Sequence, residues 1–286
     1  MKVGIIRKIT GFFNARIRKI NKFINEYGNN DKYEQELNYI IRKGSIVMYP
    51  YNFVEKYEKI LVEVENDAIS GLYYVDRLGK KLFFPRGKTK TEVENMYRWI
   101  LIENDLNSPH KYETADFSVT GRILFDIGAA EAVFALDNVD KFEKIYIFES
   151  ETEWQEPLRE TFKGYGNVEI YNKFVSNVEE RNSLVIDKKF EYIGEHIFFK
   201  IDVEGHEKEV LAGLKNILEK NFIKIAIATY HREGDAETFA TYLKKRGFDV
   251  KYSQGYIICP TTYKHPVFGD TPSLRKALLL GEKNDI

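Results

Sequence analysis

With 286 residues, 43% hydrophobic and 30% charged side chains and only 7 Pro, the chain has a globular composition, which excludes a mainly disordered protein. Its 43 Lys and Arg against 44 Asp and Glu leave a net charge of −1, so no overall field draws it onto nucleic acid. The single cysteine, Cys259, excludes an internal disulfide and a Cys-rich metal centre and suits the cytoplasm; no run reaches the ~18 apolar residues of a membrane span.

Residues 2–26 hold seven Lys and Arg and one acid, Glu26, so this segment is +6 and the rest of the chain −7. Charge interrupts it too often for a secretory signal, and no cleavage is expected. Ile5, Ile9, Phe12, Phe13, Ile17, Ile20, Phe23 and Ile24 recur at three- and four-residue intervals, which predicts a basic amphipathic helix over residues 1–30. Its apolar stripe fits the protein's own surface, the inner face of a membrane as a peripheral contact, or a second copy in a homo-oligomer.

A small α+β region is expected over 31–115: a helix from Lys32 to Lys43 ended by Gly44, short strands at Lys59–Glu65, Gly71–Val75 and Lys81–Phe84, and a helix at 91–103 with Thr91 and Glu94 at capping-box spacing. This front third carries no motif that names a reaction. From Arg122 strands alternate with helices: strands at 123–125, 144–148, 168–171, 197–201, 222–228, 248–251 and 256–259, helices at 130–136, 151–162, 207–218 and 236–245. That rhythm predicts an α/β domain over 116–286 with a doubly wound, mostly parallel sheet, Rossmann-like, whose ligand sits beyond the carboxyl ends of the strands.

Four features fall at those ends. The turn Asp126-Ile127-Gly128-Ala129-Ala130-Glu131 joins strand to helix and lets a ligand approach the backbone, but lacks the glycines of a dinucleotide fingerprint, which speaks against an NAD-dependent oxidoreductase. Glu149 closes the next strand, where an acid takes the hydroxyls of a ribose. Asp202 and Glu204 sit two residues apart, on one side of an extended backbone, and could share a cation or divide the work of orienting and accepting a proton. Glu207 reads as an acid in the first turn of a helix, His206 as exposed, and His231 follows the neighbouring strand toward the same crevice.

The Asp126-Ile127-Gly128-Ala129 turn, Glu149, the Leu184-Val185-Ile186-Asp187 strand and above all Lys200-Ile201-Asp202-Val203-Glu204-Gly205-His206-Glu207 resemble the FkbM family of S-adenosylmethionine (SAM)-dependent methyltransferases across roughly 117–260, and the tail from Pro272 to Leu279 resembles the ending of glycan-associated members. The resemblance implies a class I methyltransferase fold and O-methylation of a sugar, nucleotide sugar or polyketide-type hydroxyl. It implies SAM contacts by Asp126, Gly128, Ala129 and Asp202, ribose contacts by Glu149, and an adenine border at Phe174 and Val175. The family pattern commonly has Asn and Gly at the places of Ala130 and Ala132. His231 or Glu204 is then the expected base, with Asp202 orienting the nucleophile or joining Glu204 and His231 around Mg²⁺, Mn²⁺ or Zn²⁺. The competing expectation is a methyltransferase-like scaffold without activity at a membrane surface.

Overall fold

The computed structural model describes residues 16–259 and 272–285. Part of the N-terminal stripe, Ile5 to Phe13, lies outside the described residues. Helix α1 covers 16–27, and its Ile20 and Phe23 are buried with Leu37, Ile40, Ile258 and Leu274, so this part of the stripe packs on its own protein. Helix α2 (Glu34–Lys43) ends at Gly44 in the left-handed conformation, where only glycine is free of a Cβ clash. The short α3 (Glu55–Glu58) follows.

Strands β1 (Glu65–Asn66), β2 (Tyr73–Arg77) and β3 (Lys80–Phe83) form a small antiparallel sheet in that order. The expected strand at 59–65 shrinks to two paired residues. Helix α4 (Lys90–Glu103) is capped by Thr89 and Glu92, not by Thr91 and Glu94. Both pairs have the required spacing; in the structure the helix starts at Lys90 and the first pair exchanges the two hydrogen bonds.

The large sheet contains β4 (Ile123–Ile127), β5 (Lys144–Phe148), β6 (Val168–Tyr171), β9 (His196–Ile201), β10 (Phe222–Ala228), β11 (Asp249–Tyr252) and β14 (Leu278–Lys283). The intervening β7 (Phe174–Val175) and β8 (Ser183–Leu184) pair with each other, as do β12 (Ile257–Cys259) and β13 (Ser273–Arg275). Strand order is β11-β14-β10-β9-β4-β5-β6, with β14 antiparallel to both neighbours and the other adjacent pairs parallel. β14 is a strand that the alternation did not predict. Conversely, β12 was expected with the main elements and pairs outside the large sheet, and the expected Leu184–Asp187 strand stops at Leu184, with the short helix α7 (Ile186–Lys189) after it.

Residue alternation sends each strand's side chains to opposite faces. Ile123, Phe125 and Ile127 of β4 join Phe199, Ile201 and Ile225 in one core layer, covered by α8 (Glu207–Ala212), α9 (Lys215–Lys220) and α10 (Asp235–Lys244). The expected single helix over 207–218 is broken between α8 and α9, where Gly213 passes so near the Ser176 carbonyl that a Cβ would collide with it. On the opposite face Leu124 and Phe198 pack with α5 (Val133–Asp137), α6 (Gln155–Phe162) and the front region through Val75, Leu82, Phe84, Val93 and Ile100. The front region therefore shares a continuous core with the sheet.

A polar clamp reinforces that union: buried Arg77 of β2 donates two hydrogen bonds, 2.7 and 2.5 Å, to Asp137 of α5. Because Asp137 keeps some solvent contact, Arg77→Ala is expected to lower the unfolding free energy by about 2 kcal/mol, less than a fully buried pair would lose, as measured by urea denaturation.

Candidate active site

The carboxyl ends of β4, β5 and β9 open on a cavity of about 740 Å³, within the size range of small-molecule sites. Gly128, Ala129, Ala130 and Glu131 line it from the first turn, Glu149 and Glu151 from the second strand end, and Phe174 and Val175 from beyond the third. Asp202, Val203, Glu204 and His206 line it after β9, and Met96, Trp99, Ile100 and Glu103 of α4 enclose it from the front region.

The first turn is tightly held. Asp126 and Lys200 face one another in the β4–β9 register, form an ion pair 3.2 Å apart, and Lys200 also donates to the Gly128 carbonyl. Asp126 is fully buried and does not line the cavity. Its expected place against the cofactor is thus corrected: it sits behind the turn, paired with Lys200, which holds the Gly128 carbonyl. Gly128 has φ +74, and a Cβ there would run into the Asp202 carbonyl, so the turn and the end of β9 touch only because this residue is glycine. Ala130 (φ 47) and Ala132 (φ 55) also sit in the left-handed region, which costs an L-residue about 1–2 kcal/mol. They keep a conformation suited to Asn and Gly without those side chains.

Glu149 is 7% exposed and accepts from the backbone N–H of Ala130 and of Glu151, each at 2.7 Å. A carboxylate offers about four lone-pair sites, so two remain for hydroxyls in the cavity. Burial and the charge of Glu103 push the Glu131 carboxyl up to about 7.

Asp202 lies deeper. Its Oδ2 accepts from Tyr112 Oη at 2.7 Å and faces His110 Nε2 at 3.2 Å, while Tyr230 Oη is 3.4 Å and His231 Nε2 3.5 Å from Oδ1. Burial alone would raise its carboxyl, but the His110 hydrogen bond and the charges of His231, His110 and Lys200 hold it well below the usual carboxylate range. Asp202 therefore stays ionised and is a poor proton acceptor.

Glu204 follows with φ 53, so the backbone between the two acids is not extended as expected; it is the bend that brings Glu204 Oε2 to 3.4 Å from His231 Nε2. His231 is fully buried and does not line the cavity. Its expected role as a base in contact with the acceptor is corrected on that ground. Its Nδ1 is 2.7 Å from Glu207 Oε1, and Glu207 also accepts from the N–H groups of Val203 and Gly205. Glu207, expected as a first-turn helix acid, thus secures the whole loop. The carbonyls of Tyr230 and His231 accept in turn from Arg275.

Asp202, Glu207 and His231 offer ligand atoms within 4.8 Å of one another, a spacing compatible with a divalent ion. The same carboxylates already favour a proton: burial opposes the His231 charge, but the Glu207 hydrogen bond and the charges of Asp202, Glu207 and Glu204 raise it to about 9. A proton on His231 and a divalent ion would thus compete for the same carboxylates.

His110 and Tyr112, both from the loop before β4, are the functional candidates that the sequence reading missed; no motif or periodicity marked them.

Residues 128–250 match the profile of the methyltransferase FkbM domain. Over that stretch, less than half of the chain, it is similar to the FkbM methyltransferase family. That family is one of SAM-dependent methyltransferases. Among solved structures, the chain is similar to methyltransferase FkbM from Methylobacillus flagellatus KT, with 17% identity and a TM-score of 0.42 over 57% of this chain and 43% of the other; it thus spans less than half the length of that protein. A Streptococcus mutans chain in complex with SAH is similar at 13% identity and TM-score 0.38, covering 68% and 99% of the two chains. The N-methyltransferase NodS from Bradyrhizobium japonicum WM9 is similar at 10% identity and TM-score 0.37, covering 68% and 88%. No curated protein matches the sequence.

The folded pKa of His231 lies above the ordinary 6.5, so its contribution to stability is complete below about pH 6.5 and is lost as the pH rises through about 9. Unfolding free energy is expected to decline across that window by about 3 kcal/mol, and the decline to disappear in His231→Gln, as followed by urea titrations from pH 6 to 10.

Proposed function

We propose that the protein is a SAM-dependent O-methyltransferase acting on a hydroxyl of a saccharide or nucleotide sugar. The observation that carries the reading is the cavity at the carboxyl ends of β4, β5 and β9, with the Gly128 turn on one side and the Glu149 carboxylate on another, inside a chain whose residues 128–250 match a methyltransferase domain. Size and chemistry fit the cofactor: small residues at 128–130 leave room for it, Glu149 has lone pairs for ribose hydroxyls, and acids at 131 and 149 suit a cation.

When bound, the sulfonium supplies an already activated methyl group. The chain's own work is to place an acceptor oxygen in line and keep bulk water away. Trp99, 44% exposed, and Glu103 face the cavity from α4, a pairing of aromatic face and polar edge that suits the C–H face and hydroxyl rim of a sugar. A lipid-linked form of that acceptor belongs to the same proposal; its support is the excess of Lys and Arg in residues 2–26.

Calorimetric titration with SAM is expected to show micromolar binding, weakened at least about tenfold in Glu149→Ala, as loss of a pair of hydrogen bonds to a carboxylate implies. Tritiated methyl transfer from SAM to a panel of monosaccharides and nucleotide sugars is expected to label a hydroxyl and to persist with excess chelator. Absence of SAM binding would defeat the reading.

A further inference from the structure

The three groups that the sequence offered as proton acceptors are poorly placed to serve. Asp202 is held ionised by its donors, His231 is sealed behind it, and Glu204, its side chain 63% exposed, stands at the open rim. His110 is different. It lines the cavity although its side chain is only 6% exposed, and its ring is fixed edge-on between Tyr112 (centroids 5.1 Å) and Tyr230 (5.5 Å). Its Nε2 faces Asp202 Oδ2 at 3.2 Å. Because Asp202 is a carboxylate, that nitrogen carries the hydrogen, and the neutral ring keeps its lone pair on Nδ1. Nδ1 has no hydrogen-bond partner among the described residues and is not one of the buried orphan atoms, so it keeps some exposure on a residue that lines the cavity.

We propose that His110 is the general base of this site, oriented by Asp202 through Nε2 and taking the acceptor's hydroxyl proton on Nδ1. The proposal rests on the methyltransferase reading above. In the step, the acceptor oxygen forms its bond to the methyl carbon with its own lone pair, the C–S bond breaks with its pair left on sulfur as a neutral thioether, and the O–H proton passes to Nδ1 and then to water. Asp202 stabilises the imidazolium so formed, and Tyr112 and Tyr230 hold Asp202 in place as positioning residues. The other charged groups that face His110 are Glu103, which favours its protonated form, and Lys200, which opposes it. Burial opposes the charge as well, but Asp202 and Glu103 together hold His110 above the ordinary imidazole range.

The test has two arms on the full chain. In the first, which needs no acceptor, imidazole nitrogen resonances are followed against pH. One signal, missing in His110→Gln, should titrate above 6.5, carry its neutral-form proton on Nε2 and fall in Asp202→Asn. A proton on Nδ1, or a titration that ignores Asp202→Asn, overturns the dyad. In the second arm, tritiated methyl transfer from SAM is measured with the sugar panel. Wild-type kcat should rise with pH through the His110 titration, and His110→Ala should lose about 100-fold or more while SAM affinity changes less than about threefold and added imidazole restores part of the rate. Unchanged kcat in His110→Ala, or a loss that imidazole fails to rescue while SAM binding is intact, overturns the assignment as base. Failure of the wild type to bind SAM sinks the methyltransferase reading instead and leaves the titration result standing.

Discussion

One anion organises the interior of this protein. Asp202 lies at the end of β9, where a carboxylate without partners would cost several kcal/mol to bury, and donors from two parts of the chain converge on it: His110 and Tyr112 from the front region, Tyr230 and His231 from the end of β10. The requirement that this charge be compensated locks the front region to the strand ends and forces the cavity to form between them. Behind it a second charge cluster repeats the logic, with His231 balanced by Glu207 and Glu204. The two clusters share Asp202, so neither can shift alone.

The turn at Gly128 that lines the cavity follows from the same economy of contacts. The Asp126–Lys200 pair is a buried charge pair whose second task is to pin the Gly128 carbonyl, and glycine at 128 permits the turn to touch β9. Ala130 and Ala132 then adopt left-handed conformations. The strain is tolerated because Ala130 donates its N–H to Glu149 and Ala132 is packed in the core. Strain of this sort is found where a backbone is over-determined by its surroundings, and the surroundings here are the ligand side of the sheet.

The parallel strands, the Gly128 turn and Glu149 were legible because each carries a local signature: unbroken apolar runs, a small residue at a strand end, an acid one strand on. β14 was not, since the buried run at Ala277–Leu280 has the pattern of any interior strand and nothing local states its direction. The α4 cap was ambiguous for a related reason, as two Thr and two Glu repeat the same spacing. At the site, sequence placed His231 and Asp202 near the crevice but could not tell which of them faces it, because burial depends on neighbours from other elements. Glu207 carried a true helix-start signal that masked its contact with His231. His110 lies 92 residues from Asp202 in sequence, on a loop without periodicity, so only the folded chain brings them together.

The continuous core between the front region and the sheet has an evolutionary consequence. A module joined by a linker can be exchanged whole, as a cassette, but Val75, Leu82, Phe84 and Val93 are part of the same apolar layer as Leu124 and Phe198, and an exchange would strip one face of the large sheet. Any change in what the cavity admits must come by point changes on the cavity side of α4, at positions such as Met96 and Trp99. Divergence within such a lineage would thus be gradual, with the recognition surface drifting residue by residue while the layer beneath it stays under selection for packing.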